Sequence, residues 1–417
     1  MAGDKIIIEG GVPLKGTIIV SGAKNAVLPI IVATLLSSTP CRIIDSPQLA
    51  DVQVICQVLE GLGAKASWMD HDLYVDASEI SRYEASDEIV QKMRASVLVM
   101  GPLLARLGKA RVSQPGGCAI GTRPIDLHLK GFEAMGVQIS KEDGYVMAET
   151  KGLRGARIYL DFPSVGATEN LMMAAALAKG TSIIENAAEE PEIVDLANFI
   201  NSMGGRVRGA GTKIIKIEGV PVLTGCEHQV IPDRIEAGSY LMAAAITGGE
   251  LVLENVIADH LKPVIAKLVE IGCDISESDS SLHIKAPQTL SSADIKTLPY
   301  PGFPTDMQAQ YMALMTRSGG ASVITETVFE NRFMHAEELR RMGADIRING
   351  RSAVVEGPSR LQGAMVKATD LRAGAALVIA ALAAEGQTEI SNTYYIDRGY
   401  DHLVAKLQAV GARITRV

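Results

Sequence analysis

The chain repeats one short pattern six times, and this repeat constrains its fold more than any other feature. Each copy is an amphipathic helical pattern that ends in glycine, followed by a strand pattern, a polar turn and a second strand pattern. A glycine directly after a helical pattern is a signal for a helix C-cap. Such an even period over 417 residues predicts a repeat protein built from α/β units. The glycines, spaced by 73, 68, 68, 71 and 68 residues, are Gly63, Gly136, Gly204, Gly272, Gly343 and Gly411.

The sixth copy, Lys406–Val417, stops after its first strand pattern. The missing strand resembles Lys5–Gly10 at the other end of the chain, which parallels Lys216–Gly219 in an earlier copy. We therefore expect the N-terminal strand to complete the last unit in space. This closure would make the second domain discontinuous in sequence.

A second helical pattern in each unit is apolar on nearly all sides, as in Leu171–Ala178 and Ala375–Ala384. A helix that is hydrophobic all round is buried. The expected fold class is therefore α/β, an inside-out α/β barrel with helices inside and sheets outside. It would have two domains of three repeated βαβαββ-type units each. The expected domains are 22–231, which carries the Cys118 loop, and 1–21 joined to 232–417.

Composition excludes several classes of protein. The 40 basic and 48 acidic side chains give a formal charge of −8, which argues against a general nucleic-acid binder. The longest apolar runs, Ala26–Leu36 and Ala373–Ala384, are shorter than the roughly 18–20 residues that a membrane span needs. The start of the chain has no signal-peptide pattern. We expect a cytoplasmic protein with no nucleic-acid partner.

The five cysteines are scattered and have no CxxC spacing, so we expect neither a disulfide framework nor a zinc site. The seven histidines form no metal-spaced cluster, and the chain has no Walker A loop or dinucleotide-binding glycine motif. The sequence therefore predicts no metal and no cofactor.

Basic residues stand where buried helices are expected to begin: Lys24, Arg94 and Arg372. A helix N-terminus carries unpaired N–H groups and a partial positive charge, so a cation there is unfavourable. Three such cations indicate an anionic ligand. Ser21 and Ser164, in equivalent junctions, are expected to be ordinary N-caps.

The junctions before the amphipathic helices are longer, and three of them contain arginine: Arg123, Arg332 and Arg398. In the first, Cys118 follows Pro-Gly-Gly in the segment QPGGCAIGTRPIDLH. A cysteine in a glycine-rich loop near arginine can have a lowered pKa, which makes its thiolate reactive. The other four cysteines are expected to be inert apolar side chains.

Taken together, these segments resemble the enolpyruvyl transferases, and among them the enzymes that act on UDP-N-acetylglucosamine. The similarity covers essentially the whole chain. It implies transfer of the enolpyruvyl (carboxyvinyl) group of phosphoenolpyruvate to the sugar 3-hydroxyl by addition–elimination, the first committed step of peptidoglycan synthesis. It also implies inhibition by the epoxide fosfomycin. The most specific stretches are SGAKNAVLP, MRAS, QPGGCAIGTRPIDLH, SVGAT, NAAEEPEIVD, PDRIEAG, FPTDMQAQ, TETVFENRFMH, ATDLRAG and IDRGY.

The resemblance also implies roles for individual residues. Cys118 would donate a proton to the vinyl carbon and form a covalent adduct, and Asp306 would be the base for the 3-hydroxyl. Lys24 and Arg398 would complete the catalytic set by holding phosphoenolpyruvate. One departure is visible, since Phe162 stands where some members have lysine, and no nucleotide contact is expected from it. The other substrate-binding residues would be Asn25, Arg94, Arg123, Pro124, Ile125, Asp126, Leu127, Ser164, Val165, Gly166, Val328, Arg332, Asp370 and Arg372.

Three alternatives remain at this point. Another enolpyruvyl transferase, acting on shikimate 3-phosphate, would share the fold and chemistry but lacks the PGGC loop. A ring that encircles DNA could have six α/β units, yet its inner helices would have to be basic. A paralogue that only binds the UDP-sugar is disfavoured because Lys24, Cys118, Asp306 and Arg398 are all present.

Overall fold

The computed structural model of the chain describes residues 4–84, 94–113, 125–142 and 144–417, with the backbone alone at 94–96. Its contacts divide the chain into two units. One comprises the chain up to Ser21 and again from Pro232 to Val417, and the other lies between Gly22 and Ile231.

The strands within the described residues are short, mostly three to five residues. They are β1 (Ile6–Glu9), β2 (Lys15–Ile19), β3 (Cys41–Ile44), β4 (Lys65–Met69), β5 (Asp72–Asp76), β6 (Lys109–Ser113), β7 (Gln138–Glu142), β8 (Tyr145–Glu149), β9 (Arg157–Tyr159), β10 (Thr181–Glu185), β11 (Val207–Arg208), β12 (Ile214–Glu218), β13 (Glu227–Gln229), β14 (Glu250–Glu254), β15 (Asp274–Ser278), β16 (Ser281–Lys285), β17 (Leu290–Ser291), β18 (Ile295–Lys296), β19 (Ser318–Thr325), β20 (Asp345–Asn349), β21 (Ser352–Gly357), β22 (Met365–Lys367), β23 (Gln387–Ser391) and β24 (Arg413–Arg416).

The helices alternate with these strands along the chain. They are α1 (Lys24–Ala33), α2 (Ala50–Gly61), α3 (Met100–Leu107), α4 (Asp126–Ala134), α5 (Val165–Ala176), α6 (Pro191–Ser202), α7 (Arg234–Thr247), α8 (Lys262–Glu270), α9 (Gln308–Met315), α10 (His335–Arg341), α11 (Leu371–Ala383), α12 (Tyr394–Asp397) and α13 (Leu403–Ala409). Short 3-10 turns cover Arg94–Val99, before α3, and Thr305–Met307, before α9.

In the unit between Gly22 and Ile231, the described residues form three sheets, with strand orders β13-β3-β5-β4, β6-β8-β7 and β11-β12-β10-β9. The hairpins β4–β5, β7–β8 and β11–β12 are the paired strands of the sequence repeat. Helix α5 is buried from Ala167 to Ala176, as its apolar sequence predicts. Its alanines let α3 pack close against it, so the helices form the interior and the sheets lie outside.

The other unit has the same organisation. Within the described residues its sheets have the strand orders β22-β23-β1-β24, β15-β16-β14-β2 and β17-β19-β21-β20, with β18 paired to β19. Helices α7, α9 and α11 pack against one another. All residues of α9 are buried, which confirms the expected arrangement of helices inside sheets.

Strand β1 supplies the strand that the sixth repeat lacks. It lies between β23 and β24, antiparallel to both, with Ile6 opposite Ile390 on one side and Arg416 on the other. The side chain of Ile6 is fully buried. The backbone N–H of Lys5 donates to Val417 at 2.8 Å, so the two ends of the chain meet in one sheet.

The C-cap glycines are confirmed at every repeat. All six have φ between 89° and 104°, in the left-handed region, and each follows an amphipathic helix directly. Only glycine adopts this conformation without steric cost, which explains why it recurs there.

The two predicted serine caps have different outcomes. Ser164 caps α5 and accepts a hydrogen bond from the Ala167 N–H at 3.3 Å. The expectation for Ser21 is wrong, because α1 begins at Lys24 and its N-cap residue, Ala23, has no side-chain cap. The Ser21 hydroxyl is instead held by the Lys406 ammonium at 2.6 Å. Ser21 lies too early in the chain to reach the first turn of α1.

Among the described residues, no helix is long and apolar enough to cross a membrane.

Candidate active site

A carboxylate held by two arginines lies at the start of helix α9. Asp306, on the 3-10 turn before α9, accepts hydrogen bonds from Arg332 at 2.8 Å and from Arg372 at 2.9 Å, one on each carboxylate oxygen. Arg372 is the second residue of α11, and Arg332 lies between β19 and α10. The structure therefore brings together three residues that are far apart in sequence and that sequence analysis had assigned to one site.

The charge balance of this cluster keeps Asp306 ionised. Burial alone would raise the pKa of its carboxyl group, but the guanidinium groups of Arg372 and Arg332 outweigh burial and hold the pKa well below its usual range. Both arginine side chains are almost fully buried, at 4% and 5% exposed. Each of the two buried guanidinium groups is thus paired with one oxygen of the same carboxylate.

Thr305 and Glu326 support Arg332 and the loop that follows β19. Arg332 donates to the Thr305 hydroxyl at 3.0 Å, and that hydroxyl donates to Glu326 at 2.8 Å. The other Glu326 oxygen accepts from the backbone N–H of Val328 at 2.8 Å, which fixes the backbone of a predicted substrate-binding residue. Sequence analysis did not identify Thr305 or Glu326 as part of the site. Glu326 lies in the motif TETVFENRFMH, but its pattern does not distinguish a buried acceptor from an exposed carboxylate.

A second buried hydrogen-bond network contacts the backbone of Asp306. The Tyr400 hydroxyl is 2.7 Å from the Ser239 hydroxyl and accepts a hydrogen bond from the Gln310 amide at 3.1 Å. The same amide donates to the backbone carbonyl of Asp306 at 2.9 Å. Since Tyr400 is two residues from Arg398, this network anchors the segment that carries Arg398, itself partly buried just after α12.

Asp370 acts as the N-cap of α11. Its carboxylate accepts from the backbone N–H groups of Arg372 at 2.8 Å and Ala373 at 3.0 Å, which fixes the start of the helix and hence Arg372. His335 is buried nearby, and burial lowers the pKa of its imidazole to about 4 although the charge of Asp370 opposes this shift. The imidazole is therefore neutral near pH 7.

In the other unit, Lys24 is the first residue of α1, followed by Asn25. The Lys24 ammonium pairs with the Asp51 carboxylate at 2.8 Å, and their side chains are 12% and 5% exposed. Asp51, in the first turn of α2, was not found by sequence analysis because nothing in its local pattern indicates a partner. Lys24 and Arg372, at the starts of α1 and α11, are therefore paired with carboxylates of the protein itself, Asp51 and Asp306. This pairing offsets part of the positive charge from which sequence analysis inferred an anionic ligand.

The predicted residues Ile125, Asp126 and Leu127 lie at the start of α4, and Ser164–Gly166 lie at the start of α5. Asp126 and Leu127 line an open cavity of about 440 Å³ whose wall also includes Lys130 and Asp161. A cavity of this size can hold part of a nucleotide-sized ligand.

Some predicted residues lie outside the described part of the chain. They are Cys118, Arg123 and Pro124, together with the side chain of Arg94. Their roles remain predictions from the sequence.

Burial raises the pKa of the thiols of Cys41, Cys56, Cys226 and Cys273, to about 12 in the last three. Thiols with such pKa values are protonated at neutral pH, as expected of inert cysteines. The described residues also contain no group of three histidine, cysteine or acidic side chains that could hold a metal ion.

Comparison with known proteins gives the class. The family model described as EPSP synthase (3-phosphoshikimate 1-carboxyvinyltransferase) matches residues 8–407. A protein of Caldanaerobacter subterraneus subsp. tengcongensis, UDP-N-acetylglucosamine 1-carboxyvinyltransferase 1, is 60% identical over 412 residues, 99% of each chain. UDP-N-acetylglucosamine 1-carboxyvinyltransferase 2 of Carboxydothermus hydrogenoformans is 58% identical over 416 residues, again 99% of each chain.

Solved structures agree with this class. The enolpyruvyl transferase NikO from Streptomyces tendae superposes with a TM-score of 0.91 at 25% identity, covering 100% of this chain and 99% of that one. An EPSP synthase from Acinetobacter baumannii has a TM-score of 0.77 at 19% identity over the full length of both chains, which shows the shared fold. The family model and the relatives at 58–60% identity thus show a carboxyvinyl-transferring enzyme. The chain belongs to the EPSP synthase family of carboxyvinyltransferases.

Proposed function

We propose that this enzyme transfers the enolpyruvyl group of phosphoenolpyruvate to the 3-hydroxyl of UDP-N-acetylglucosamine and releases phosphate, the first committed step of peptidoglycan synthesis. The support is the 58–60% identity, over 99% of this chain, to proteins named for that substrate. The EPSP synthase structure, at 19% identity, supports the fold but not the use of shikimate 3-phosphate.

The reaction proceeds in two stages, an addition followed by an elimination. The Cys118 thiol gives a proton to C3 of phosphoenolpyruvate, while the sugar 3-oxygen bonds to C2 and its proton passes to Asp306. The resulting tetrahedral intermediate then loses a C3 proton to the Cys118 thiolate as the bond between C2 and the phosphate oxygen breaks, and the leaving phosphate takes the proton held by Asp306, which returns both side chains to their starting state. This second stage restores the vinyl group on the sugar ether and releases inorganic phosphate.

The observation that carries the proposal is the ionised Asp306 between two buried arginines. A carboxylate can take the hydroxyl proton only when it is ionised and within hydrogen-bonding reach. Its low pKa makes it a weak base while both arginines hold it. A substrate anion that draws Arg372 away would raise the pKa of Asp306 and strengthen the base. Substrate binding would in this way prepare the base for proton transfer.

The anionic groups of phosphoenolpyruvate are assigned to Lys24, Arg123 and Arg398, with Arg94 and Arg372 nearby. Guanidinium groups suit this task because they bind phosphate and carboxylate through two parallel hydrogen bonds. The assignment follows the family motifs.

UDP-N-acetylglucosamine is assigned to Asn25, the segment 123–127, Ser164–Gly166, Asp306 and Val328. Two structural features support this assignment. The cavity beside Asp126 and Leu127 has room for a base or ribose, and the N-terminus of α5 is suited to a phosphate group. Asp370 and Arg332 would act by holding Arg372 and Asp306 in place. The reaction is assigned to the cytoplasm, in keeping with five scattered cysteines.

The test is the identity of the product. The purified chain is incubated with phosphoenolpyruvate and either UDP-N-acetylglucosamine or shikimate 3-phosphate, and each mixture is analysed by mass spectrometry. The expected result is an enolpyruvyl ether of the UDP-sugar and no shikimate product. An enolpyruvyl product from shikimate 3-phosphate alone would contradict the proposal, and so would the absence of any product.

A further inference from the structure

A buried carboxylate, Glu326, holds the loop that follows β19. Its Oε1 accepts hydrogen bonds from the backbone N–H groups of Val328 at 2.8 Å and Phe329 at 3.1 Å. Two hydroxyl groups also contact this carboxylate: Thr297 lies 2.9 Å from Oε1, and Thr305 lies 2.8 Å from Oε2. The residue is only 1% exposed, so these four contacts replace the water that would otherwise solvate the carboxylate.

The hydroxyl protons of both threonines point towards Glu326. The Thr297 oxygen accepts from the backbone N–H of Thr327 at 2.9 Å. The Thr305 oxygen accepts from Nη1 of Arg332 at 3.0 Å. Each hydroxyl has a single proton, and for both of them Glu326 is the only acceptor among the residues that the structure describes. The Thr305 hydroxyl is therefore a bridge that accepts from Arg332 and donates to Glu326.

Arg332 is held at three places. Besides the bond from Nη1 to Thr305, its Nη2 donates to Oδ1 of Asp306 at 2.8 Å. Its guanidinium carbon lies 5.0 Å from the centroid of the Phe329 ring, an arrangement in which a cation and a ring attract each other. Two of these three partners, Thr305 and Phe329, are themselves hydrogen-bonded to Glu326. Glu326 thus fixes the surroundings of Arg332.

Arg372 is held less firmly, although it contacts the same carboxylate. Within the described part of the chain, its guanidinium group makes one hydrogen bond, from Nη2 to Oδ2 of Asp306 at 2.9 Å. Its Nη1 is buried and has no partner there, whereas the unpartnered atom of Arg332 is Nε. A buried donor without an acceptor is costly, so an incoming anion would satisfy Arg372 at the loss of a single bond. The side chain of Asp306 is 26% exposed, which lets a substrate reach it.

We propose that Glu326 is a positioning residue that fixes Arg332 through the Thr305 hydroxyl. Arg332 then keeps Oδ1 of Asp306 occupied throughout the reaction. Arg372 is the arginine that turns to phosphoenolpyruvate, which frees Oδ2 of Asp306 to take the proton of the sugar 3-hydroxyl. The inference rests on the proposed function, because that function makes Asp306 the base. It adds to that function which arginine moves and which oxygen accepts the proton.

The kinetic test compares two threonines that donate to the same carboxylate. Thr305→Val breaks the bridge to Arg332, whereas Thr297→Val removes a hydrogen bond to Glu326 without touching Arg332. Thr305→Val should lower kcat about tenfold and leave the KM for UDP-N-acetylglucosamine within about twofold, because the base is misoriented while the loop stays in place. Thr297→Val should keep kcat within about twofold of wild type. Thr305→Ser, which keeps the hydroxyl, should retain most of the wild-type kcat.

Glu326→Gln tests the carboxylate itself. Its amide oxygen can still accept from the N–H groups of Val328 and Phe329, but its amide nitrogen cannot accept the Thr305 proton. This variant should therefore lose about as much kcat as Thr305→Val. The double variant should be no slower than the slower single variant, because both changes break one bridge. Losses that add in the double variant would show that the two residues act separately, which contradicts the proposal.

Nitrogen-15 NMR of arginine-labelled protein without substrate measures directly how firmly Arg332 is held. A guanidinium group rotates slowly when both terminal nitrogens are bonded, so wild type should show separate Nη1 and Nη2 signals for Arg332. These signals should merge in Thr305→Val and in Glu326→Gln, and they should stay separate in Thr297→Val. Addition of phosphoenolpyruvate to wild type should shift the signals of Arg372 and leave those of Arg332 separate.

Three results would overturn the inference. They are an equal loss of kcat in Thr297→Val and Thr305→Val, separate Arg332 signals in Thr305→Val, and a response to phosphoenolpyruvate from Arg332 rather than Arg372. Failure of the wild type to form the enolpyruvyl ether would instead overturn the proposed function. The NMR signals recorded without substrate would still decide whether Glu326 fixes Arg332, so the two failures can be told apart.

Discussion

Glu236 shows how one buried side chain holds the start of α7 to a distant segment. Its carboxylate accepts from the backbone N–H of Ser21 at 2.7 Å and pairs with the Lys406 ammonium at 2.7 Å. Burial raises the pKa of Glu236 to about 7, although the charge of Lys406 opposes the shift. A carboxyl group whose pKa is higher in the folded than in the unfolded state stabilises the fold at low pH. The stabilisation by Glu236 is lost as the pH rises from 4.5, the ordinary pKa of a glutamate, to about 7, the pKa of Glu236 in the folded protein.

Replacing Glu236 with Gln should remove this pH dependence. Between pH 5 and pH 8, the wild type should lose unfolding free energy relative to Glu236→Gln by on the order of 3 kcal/mol. Urea unfolding of both proteins across this pH range measures the difference. Other titrating groups cancel because they are common to both proteins. A difference that stays constant with pH would show that Glu236 does not titrate as described.

Asp306→Asn should lower kcat by at least about 100-fold, because an amide cannot take the proton of the 3-hydroxyl. Steady-state kinetics with UDP-N-acetylglucosamine measures the effect. Asp294→Asn is the matched control, since Asp294 lies in the same unit but is exposed and accepts from the Val323 N–H. The control should keep wild-type activity. An Asp306→Asn variant with wild-type kcat would exclude this carboxylate as the base.

At the level of secondary-structure elements, α11 and α12 pack so closely that the contact between them has room for glycine but not for a larger residue. A Cβ added to Gly374, on α11, would lie 2.6 Å from Cγ1 of Ile396, on α12, and 3.3 Å from Cβ of Ala368. Helix α12 ends immediately before Arg398. The packing of these two helices therefore places the backbone of a predicted catalytic residue.

Gly374→Ala should destabilise the protein by about 1–3 kcal/mol through overpacking. The matched control is Gly61→Ala, at the end of helix α2, where a Cβ would meet no atom within 4 Å. The control should be neutral or stabilise by up to about 1 kcal/mol, because alanine favours the helix. Thermal unfolding of both variants compares them, and stabilisation by Gly374→Ala would show that the helices can separate without cost.

The boundaries of many elements could be predicted from the sequence, because they depend on local patterns. The helix-ending glycines have positive φ at all six repeats, and Ser164 caps α5 as expected. The failure at Ser21 has a clear cause. Its partners Glu236, Asp401 and Lys406 lie 215, 380 and 385 residues away along the chain, so no local pattern could reveal them.

For the molecule as a whole, the repeat predicted the fold class because six copies of one pattern must bury equivalent faces. The N-terminal strand could be placed beside β24 for the same reason. The pairing of side chains was harder to predict from the sequence. The repeat indicates where helices begin, but it does not show that Asp51 faces Lys24 or that His128 contacts Asn170. Such contacts depend on how elements distant in sequence pack.

The central claim is that the enzyme consumes phosphoenolpyruvate only when the UDP-sugar accepts its enolpyruvyl group. Release of inorganic phosphate from phosphoenolpyruvate, measured with and without UDP-N-acetylglucosamine, tests this directly beside a Cys118→Ala variant. Wild type should release one phosphate per UDP-sugar consumed and almost none without the sugar, and the variant should be strongly impaired. Phosphate release that is independent of UDP-N-acetylglucosamine, or absent with it, would contradict the claim.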